Sequence, residues 1–234
     1  MAWRCTGASN AALVENMARE GIIKSAVVKE AFLKGALLPL PPLRGLAPGH
    51  RPRRHHLGAA HARVRRRAPA RPPGAHGNQP RPRVLDVGSG SGYLTHVLAE
   101  LVGPRGVVVG VEHIRELRDL GAGNMAKSEE GRQLLESGRV KFVVGDGRKG
   151  WKDEQDEQGG DGWDAIHVGA SAREVHPELV AQLRAPGRMF IPVDDVPGSP
   201  DLQHIWVVDK DAEGGVSSRK LFGVRYVPLT DSPP

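Results

Sequence analysis

Apolar positions along this chain change their rhythm twice. Residues 9–34, "SNAALVENMAREGIIKSAVVKEAFLK", read as two short helices. Ser9 or Asn10 can cap the first and Gly21 can end it; Ser25 can cap a second whose Val27, Val28, Ala31 and Phe32 fall on one face. From Arg83 onward the apolar runs become short and β-branched: "RVLDVGS", "GVVVGVE", "VKFVVGD", "WDAIHVG" and "GRMFIPV" each suit a buried parallel strand. Helical spacing appears between them in "YLTHVLAELVG" and "PELVAQLRAP", and an Asp/Gly-rich turn in "HIWVVDKDAEGGVSSRKLFGVRYVPL" predicts a closing antiparallel element. Strands alternating with helices predict an α/β fold, a doubly wound and mostly parallel sheet with an N-terminal helical extension.

Between these two patterns lies a stretch that follows neither. Residues 35–80 hold nine arginines and nine prolines, with no Asp, Glu, Lys, Phe, Tyr or Trp. Too few large apolar side chains are present to offset the entropy of ordering, so disorder is the expectation for 35–82. The domain reading is therefore a helical extension over 1–34, an Arg/Pro-rich segment over 35–82, and a ligand-binding domain over 83–231.

Charge follows the same boundaries. The formal net charge is +6, yet 35–80 alone carries +9, which leaves 6 − 9 = −3 for everything else. The basic character is local, and an arginine arm without aromatic residues makes a poor platform for specific nucleic-acid binding. One cysteine, Cys5, excludes an internal disulfide framework and a cysteine-rich metal site, and fits a reducing compartment. No run of roughly 18 apolar residues appears and the N-terminus lacks a signal-peptide layout, so the reading is a soluble, cytoplasmic protein without membrane attachment. The histidines, His96, His167, His176 and His204 among them, are scattered without metal-ligand spacing, and no metal is assigned.

The chemistry gathers at strand ends. In "VLDVGSGSGYL" the first strand closes on Asp86, and Gly88, Ser89, Gly90 and Gly92 occupy the turn into a helix, where backbone can approach a ligand closely. The second strand ends at Glu112, followed by His113, where a carboxylate can accept hydrogen bonds from ribose hydroxyls. The third ends at Asp146 and Gly147, suited to an adenine amino group and a close backbone approach. An ordinary tight turn with solvated acids is the plainer alternative, and His113 is as suited to packing as to chemistry. The glycine spacing differs from the G-x-G-x-x-G that cradles a pyrophosphate. A phosphate-free sulfonium nucleoside, S-adenosyl-L-methionine, matches acidic strand ends such as Asp86 and Glu112 better.

Taken in order, "GIIK", "VLDVGSGSGYLT", "GVEHI", "SGRVKFVVGDGRKGW", "WDAIHVGAS" and "GVRYVPLTD" resemble the protein-L-isoaspartate O-methyltransferase family over roughly 1–34 and 83–231. That resemblance implies a Rossmann-like methyltransferase fold and S-adenosyl-L-methionine as methyl donor. It implies methylation of the α-carboxyl of isoaspartyl residues in damaged proteins and peptides, which begins their repair, by a cytoplasmic monomer. It also brings Thr230, in "PLTD", toward the cofactor. "RAPGR" stands where the family has Pro-Gly-Gly-Arg, and "DEQDEQGGDG" before Trp163 reads as a solvated insertion.

The middle departs from the family altogether. Relatives carry R-x-H-Y, then P-Y-x-D-x-P, then I-G-x-x-x-T-I-S-A-P-H-M-H-A, a stretch that closes over the methyl group and grips the substrate. Joining the last two bases of each codon to the first base of the next, from Lys34 on, "KGALL" permits R-A-H-Y and "PLRGLAPGHR" permits P-Y-E-D-S-P-Q-A-I. "RPRRHHLGAAHARV" then permits G-H-G-A-T-I-S-A-P-H-M-H-A. The middle base of each such codon is free, so one match means little; a long unbroken run means more. Residues 35 to about 80 thus read as the family's substrate segment translated out of frame, and no catalytic residue is assigned to the chain as written. A cofactor-binding pseudoenzyme and a basic, nucleic-acid-associated methyltransferase-fold protein stay open as alternatives.

Overall fold

The computed structural model describes residues 9–35, 81–152, 162–197 and 202–230. Residues 36–80 of the Arg/Pro-rich segment and most of the acidic insertion before Trp163 lie outside the described residues. Among those described, helices α1 (Asn10–Arg19) and α2 (Ala26–Gly35) precede β1 (Arg83–Val87), α3 (Tyr93–Val102) and β2 (Val107–Glu112). Next come α4 (Arg115–Met125), α5 (Glu129–Glu136), β3 (Val140–Val144) and β4 (Trp163–Val168). The chain continues through α6 (Pro177–Ala181), β5 (Leu183–Asp194), β6 (Gln203–Lys210) and β7 (Val216–Val224).

The strands form one seven-stranded sheet in the order β3-β2-β1-β4-β5-β6-β7. Pairings from β3 across to β5 are parallel, while β5–β6 and β6–β7 are antiparallel. Chain order reverses between β1 and β4, so a crevice opens at their C-terminal ends, where doubly wound sheets take ligands. The fold is thus the expected Rossmann-like one.

Alternation of side chains fixes which residues face which layer. On β1 and β2, Val84 and Val108 pack with the helical layer that includes α1 to α5, whereas Leu85, Val87, Val109 and Val111 pack with Trp163, Leu179 and Met189 on the opposite face. All five β1 positions and all six β2 positions are buried, as strands covered on both faces must be.

The N-terminal helices belong to this core. Ser9 caps α1 by accepting from the Ala12 amide, and Val14 and Met17 are buried. Phe32 of α2 meets Tyr93 of α3 edge to face at 6.0 Å, and the Tyr93 hydroxyl donates to the Phe32 carbonyl at 3.1 Å. Val28, Ala31 and Phe32 are buried as expected, but Val27 is 46% exposed, because the stripe meeting α3 is narrower than the apolar sequence.

Two further elements depart from the sequence pattern. The helix expected over 177–186 stops at Ala181, with Gln182 as its C-cap; Leu183 already pairs with Trp163 of β4, and Pro186 lacks the amide that a continuing helix would require. The crossover from β2 to β3 is a pair of helices, α4 and α5, that the apolar spacing does not announce. Ser128 caps α5 through the Gly131 amide at 3.0 Å. No helix among the described residues is long and apolar enough to cross a membrane.

Candidate functional site

The crevice is built on the turn from β1 into α3. Gly92 caps α3 with a left-handed φ of 77°, and a Cβ there would stand 2.7 Å from the Gly121 carbonyl oxygen. The approach is reciprocal, since a Cβ on Gly121 would meet the Gly90 carbonyl oxygen at 2.9 Å. α4 therefore presses a glycine against the glycine loop, holding it from the side. Below, the Gly88 and Ser89 amides both donate to the Val111 carbonyl of β2, at 2.8 and 3.2 Å.

Glu112 closes the β2 side. It is only 4% exposed, and its Oε2 accepts from the Gly90 amide at 3.0 Å while Oε1 accepts from the His113 and Ile114 amides at 2.9 and 3.3 Å. The His113 ring also lies on this carboxylate, Nδ1 to Oε1 2.9 Å, so His113 is a direct neighbour of Glu112. The sequence places Glu112 at a strand tip; the structure adds that the side chain is buried and accepts from three backbone amides, with acceptor capacity left on Oε2.

Asp146 and Gly147 arrive from β3. Arg148 grips Asp146 in a two-pronged ion pair, Nε to Oδ1 and Nη2 to Oδ2 both 2.9 Å, and its amide donates to Oδ1 at 3.0 Å. The hydrogen bonds from Arg148 and its positive charge hold the Asp146 carboxyl below its ordinary range. Gly147 is a steric requirement: a Cβ would fall 2.3 Å from Val87 Cγ1 at the tip of β1, with Leu229 Cδ1 next at 3.6 Å. Leu229 is held there by its amide, which donates to the Ser171 carbonyl at 2.7 Å, and Thr230, which is exposed, follows it in the chain.

Asp86 sits differently from the other acids. It is 1% exposed, and both oxygens are engaged inside the protein: Thr95 Oγ1 donates to Oδ2 at 2.6 Å and His167 Nδ1 lies 2.7 Å from Oδ1. It thus lies under the glycine loop instead of lining it. Gly121, Thr95 and His167 were not singled out by sequence reasoning. The only local signal for His167 is its register beside Asp86 on β4, which needs the sheet order to be seen.

The donor set fits a cationic nucleoside without phosphate. Residues 86–95 contain no lysine or arginine, two carboxylates border the loop, and buried Ser89 Oγ has no hydrogen-bond partner among the described residues. No cluster of three or more His, Cys, Asp or Glu with metal-binding placement occurs among the described residues.

The family model for protein-L-isoaspartate(D-aspartate) O-methyltransferase matches residues 78–233. A protein-L-isoaspartate O-methyltransferase of Triticum aestivum is 48% identical over 152 residues, covering 65% of this chain and 61% of the wheat protein. The chain thus spans about three fifths of that relative's length. One of Caenorhabditis elegans is 34% identical over 233 residues, 98% of this chain and 96% of the nematode protein. Among solved structures, a protein described as a putative protein-L-isoaspartate O-methyltransferase from Plasmodium falciparum, in complex with S-adenosyl-L-homocysteine, superposes with a TM-score of 0.71 at 25% identity, covering 96% of this chain and 99% of that one. With two thirds of its length under that family model and the expected mostly parallel, Rossmann-like sheet beneath it, the chain belongs to the protein-L-isoaspartate(D-aspartate) O-methyltransferase family.

Proposed function

We propose that this protein binds S-adenosyl-L-methionine in the crevice above β1, β2 and β3, and that its reaction is methylation of the α-carboxyl of isoaspartyl residues in damaged proteins and peptides. The observation that carries the cofactor half is Glu112: a buried carboxylate held by three backbone amides at the tip of the second strand, with acceptor capacity left for ribose hydroxyls. Asp146 and Gly147 serve the adenine, His113 flanks it, and Gly88, Ser89, Gly90 and Gly92 bring backbone close to the methionine portion. Thr230 borders the same space. When bound, the cofactor supplies a methyl group on a positively charged sulfur.

The chain's own task is positioning. An α-carboxyl is ionised near neutral pH, its ordinary pKa being about 3.5, so no strong general base is required. What must be supplied is orientation of that carboxylate and exclusion of water. The family draws both from the segment that 35–80 replaces. The reading of 35–80 as an out-of-frame translation therefore predicts a chain that keeps its cofactor crevice and turns over poorly as written. The lone cysteine and a net positive charge that arises wholly within 35–80 support a cytoplasmic location and no specific nucleic-acid partner, and the reading is a monomer.

Methyl transfer from labelled S-adenosyl-L-methionine to an isoaspartyl peptide tests this, comparing the chain as written with one whose 35–80 is replaced by the in-frame reading. The restored chain should be at least a hundredfold faster. Equal turnover would refute loss of the substrate grip, and an inactive restored chain that still binds the cofactor would refute the substrate.

A further inference from the structure

Beyond β7 the chain returns from the edge of the sheet to its middle. β7 is the outer strand, and its ladder with β6 ends at the Gln203–Val224 pair. Five residues later Leu229 stands at the tip of β1: its Cδ1 lies 3.6 Å from where a Cβ on Gly147 would be, and it packs with the cluster that holds Val87. Four strand spacings separate β7 from β1, roughly 19 Å, while five extended residues reach about 17 Å. This strap is therefore taut, with the Leu229 side chain supplying the remainder. Lacking slack, it stands where its holders put it.

Two buried residues hold it. Ser171, just after β4, takes it by the main chain: its amide donates to the Val227 carbonyl and its carbonyl accepts from the Leu229 amide, both 2.7 Å, a parallel bridge in which Pro228 needs no N–H. Gln203 does with a side chain what a neighbouring strand would do with a peptide unit. Its Oε1 accepts from the Tyr226 amide at 2.6 Å, and its Nε2 donates to the Tyr226 carbonyl at 3.3 Å. Since a main-chain N–H only donates and a carbonyl only accepts, the orientation of the Gln203 amide is fixed. Nε2 also donates to Asp194 Oδ1 at 3.3 Å, which accepts from Ser171 Oγ at 2.7 Å, so one carboxylate joins the two holders. Gln203, Ser171 and Tyr226 are 2%, 2% and 8% exposed, a depth at which polar groups need such partners.

We propose that Gln203 is a positioning residue for the cofactor crevice: by pinning the main chain of Tyr226 it sets where Leu229 stands against Gly147, and with that the width of the crevice beside Gly147. The inference rests on the cofactor reading above. Gln203 acts through the strap, from the start of β6.

Calorimetric titration of S-adenosyl-L-methionine into the full chain and into Q203L, L229A, the Q203L/L229A double variant and V14A tests it. Q203L and L229A should each weaken binding roughly tenfold, and the double variant should bind within about threefold of L229A, because the second change removes an effect already lost. V14A, a buried truncation in the helical layer, should lose stability and keep the parent's affinity, which separates positioning from general loosening. In the ligand-free chain the Leu229 methyl NMR resonances should move in Q203L and stay in V14A. If Q203L fails to fold, Q203N, too short to span both main-chain groups, takes its place. Parental affinity or unmoved methyl resonances in the Gln203 variant, or a double variant weakened a hundredfold, would overturn the role of Gln203. A parent chain that binds no S-adenosyl-L-methionine would overturn the cofactor reading instead, while the methyl resonances still decide whether Gln203 holds Leu229.

Discussion

Asp86 near the end of β1 and Asp146 just beyond β3 are two aspartates held in opposite ways. Asp86 is sealed from solvent and satisfied by a hydroxyl and an imidazole; Asp146 has a side chain 28% exposed and is gripped by the fork of Arg148. Both belong to a motif that reads as cofactor-binding, yet Asp86 is sealed off while Asp146 keeps a partly exposed side chain. The difference teaches that an acidic strand end can stay partly open to solvent or be built into a closed hydrogen-bonded cluster beneath the loop, and burial separates the two. Glu112 combines the two, being buried at 4% exposure while sitting directly beside the loop.

Stability separates the two aspartates most sharply. D86L would leave Thr95 Oγ1 and His167 Nδ1 without their acceptor in a dry site and should destabilise the fold by about 3–5 kcal/mol in urea unfolding. D146A should cost about 1 kcal/mol or less, since its ion pair is partly exposed. Equal losses would erase the contrast.

Gly147 tests whether the β3 end is built around the β1 tip. G147A puts a methyl 2.3 Å from Val87 Cγ1 and should weaken S-adenosyl-L-methionine binding at least tenfold by calorimetry. G123A is the control: nothing lies within 4 Å of a Cβ there, so binding should hold and helix α4 gain about 0.5–1 kcal/mol.

A smaller effect sharpens the Asp146 side. Arg148 depresses the Asp146 pKa below the ordinary 3.8, so the pair's contribution to stability is present above that value and fades as pH falls through the depressed one. R148Q should return the Asp146 titration, followed by carboxyl-carbon NMR, to the ordinary range and shift the acid unfolding limb upward by a few tenths of a pH unit. An unmoved titration would mean that the fork does not set the charge.

Smallest of all is a histidine that lies in neither region. His96 on α3 is 1% exposed, and burial pushes its pKa below the ordinary 6.5. The unfolded chain then takes up its proton first, so stability is full above about pH 6.5 and declines as pH falls below it. H96L should flatten that decline in urea titrations between about pH 5 and 7; an unchanged slope would place the pH dependence elsewhere.

Much of the sheet was legible because both-faced burial writes strands as continuous apolar runs: β1, β2 and β4 fall where "RVLDV", "VVVGVE" and "WDAIHV" are written. α4 was not legible, because "RELRDLGAGNM" spends two positions on glycine, one of which, Gly121, exists to let the loop come close. The truncated α6 shows tertiary pairing overriding local pattern, with Leu183 already drawn into the sheet. At the site, motif spacing located the loop and the three acids, but could not separate Asp86, bonded to side chains beneath the loop, from Glu112, bonded to the loop's own backbone. That distinction depends on Thr95 and His167, whose side chains meet Asp86 only after α3 and β4 have packed against β1.

The central claim is that the strand tips, Glu112 foremost, form the seat of S-adenosyl-L-methionine, and its most direct test is calorimetric titration of that compound into the full chain and into E112A. A single-site isotherm for the parent, weakened roughly ten- to hundredfold in E112A with the fold intact, is the predicted result. A parent that gives no binding heat, or an E112A chain that binds as tightly as the parent, would contradict it.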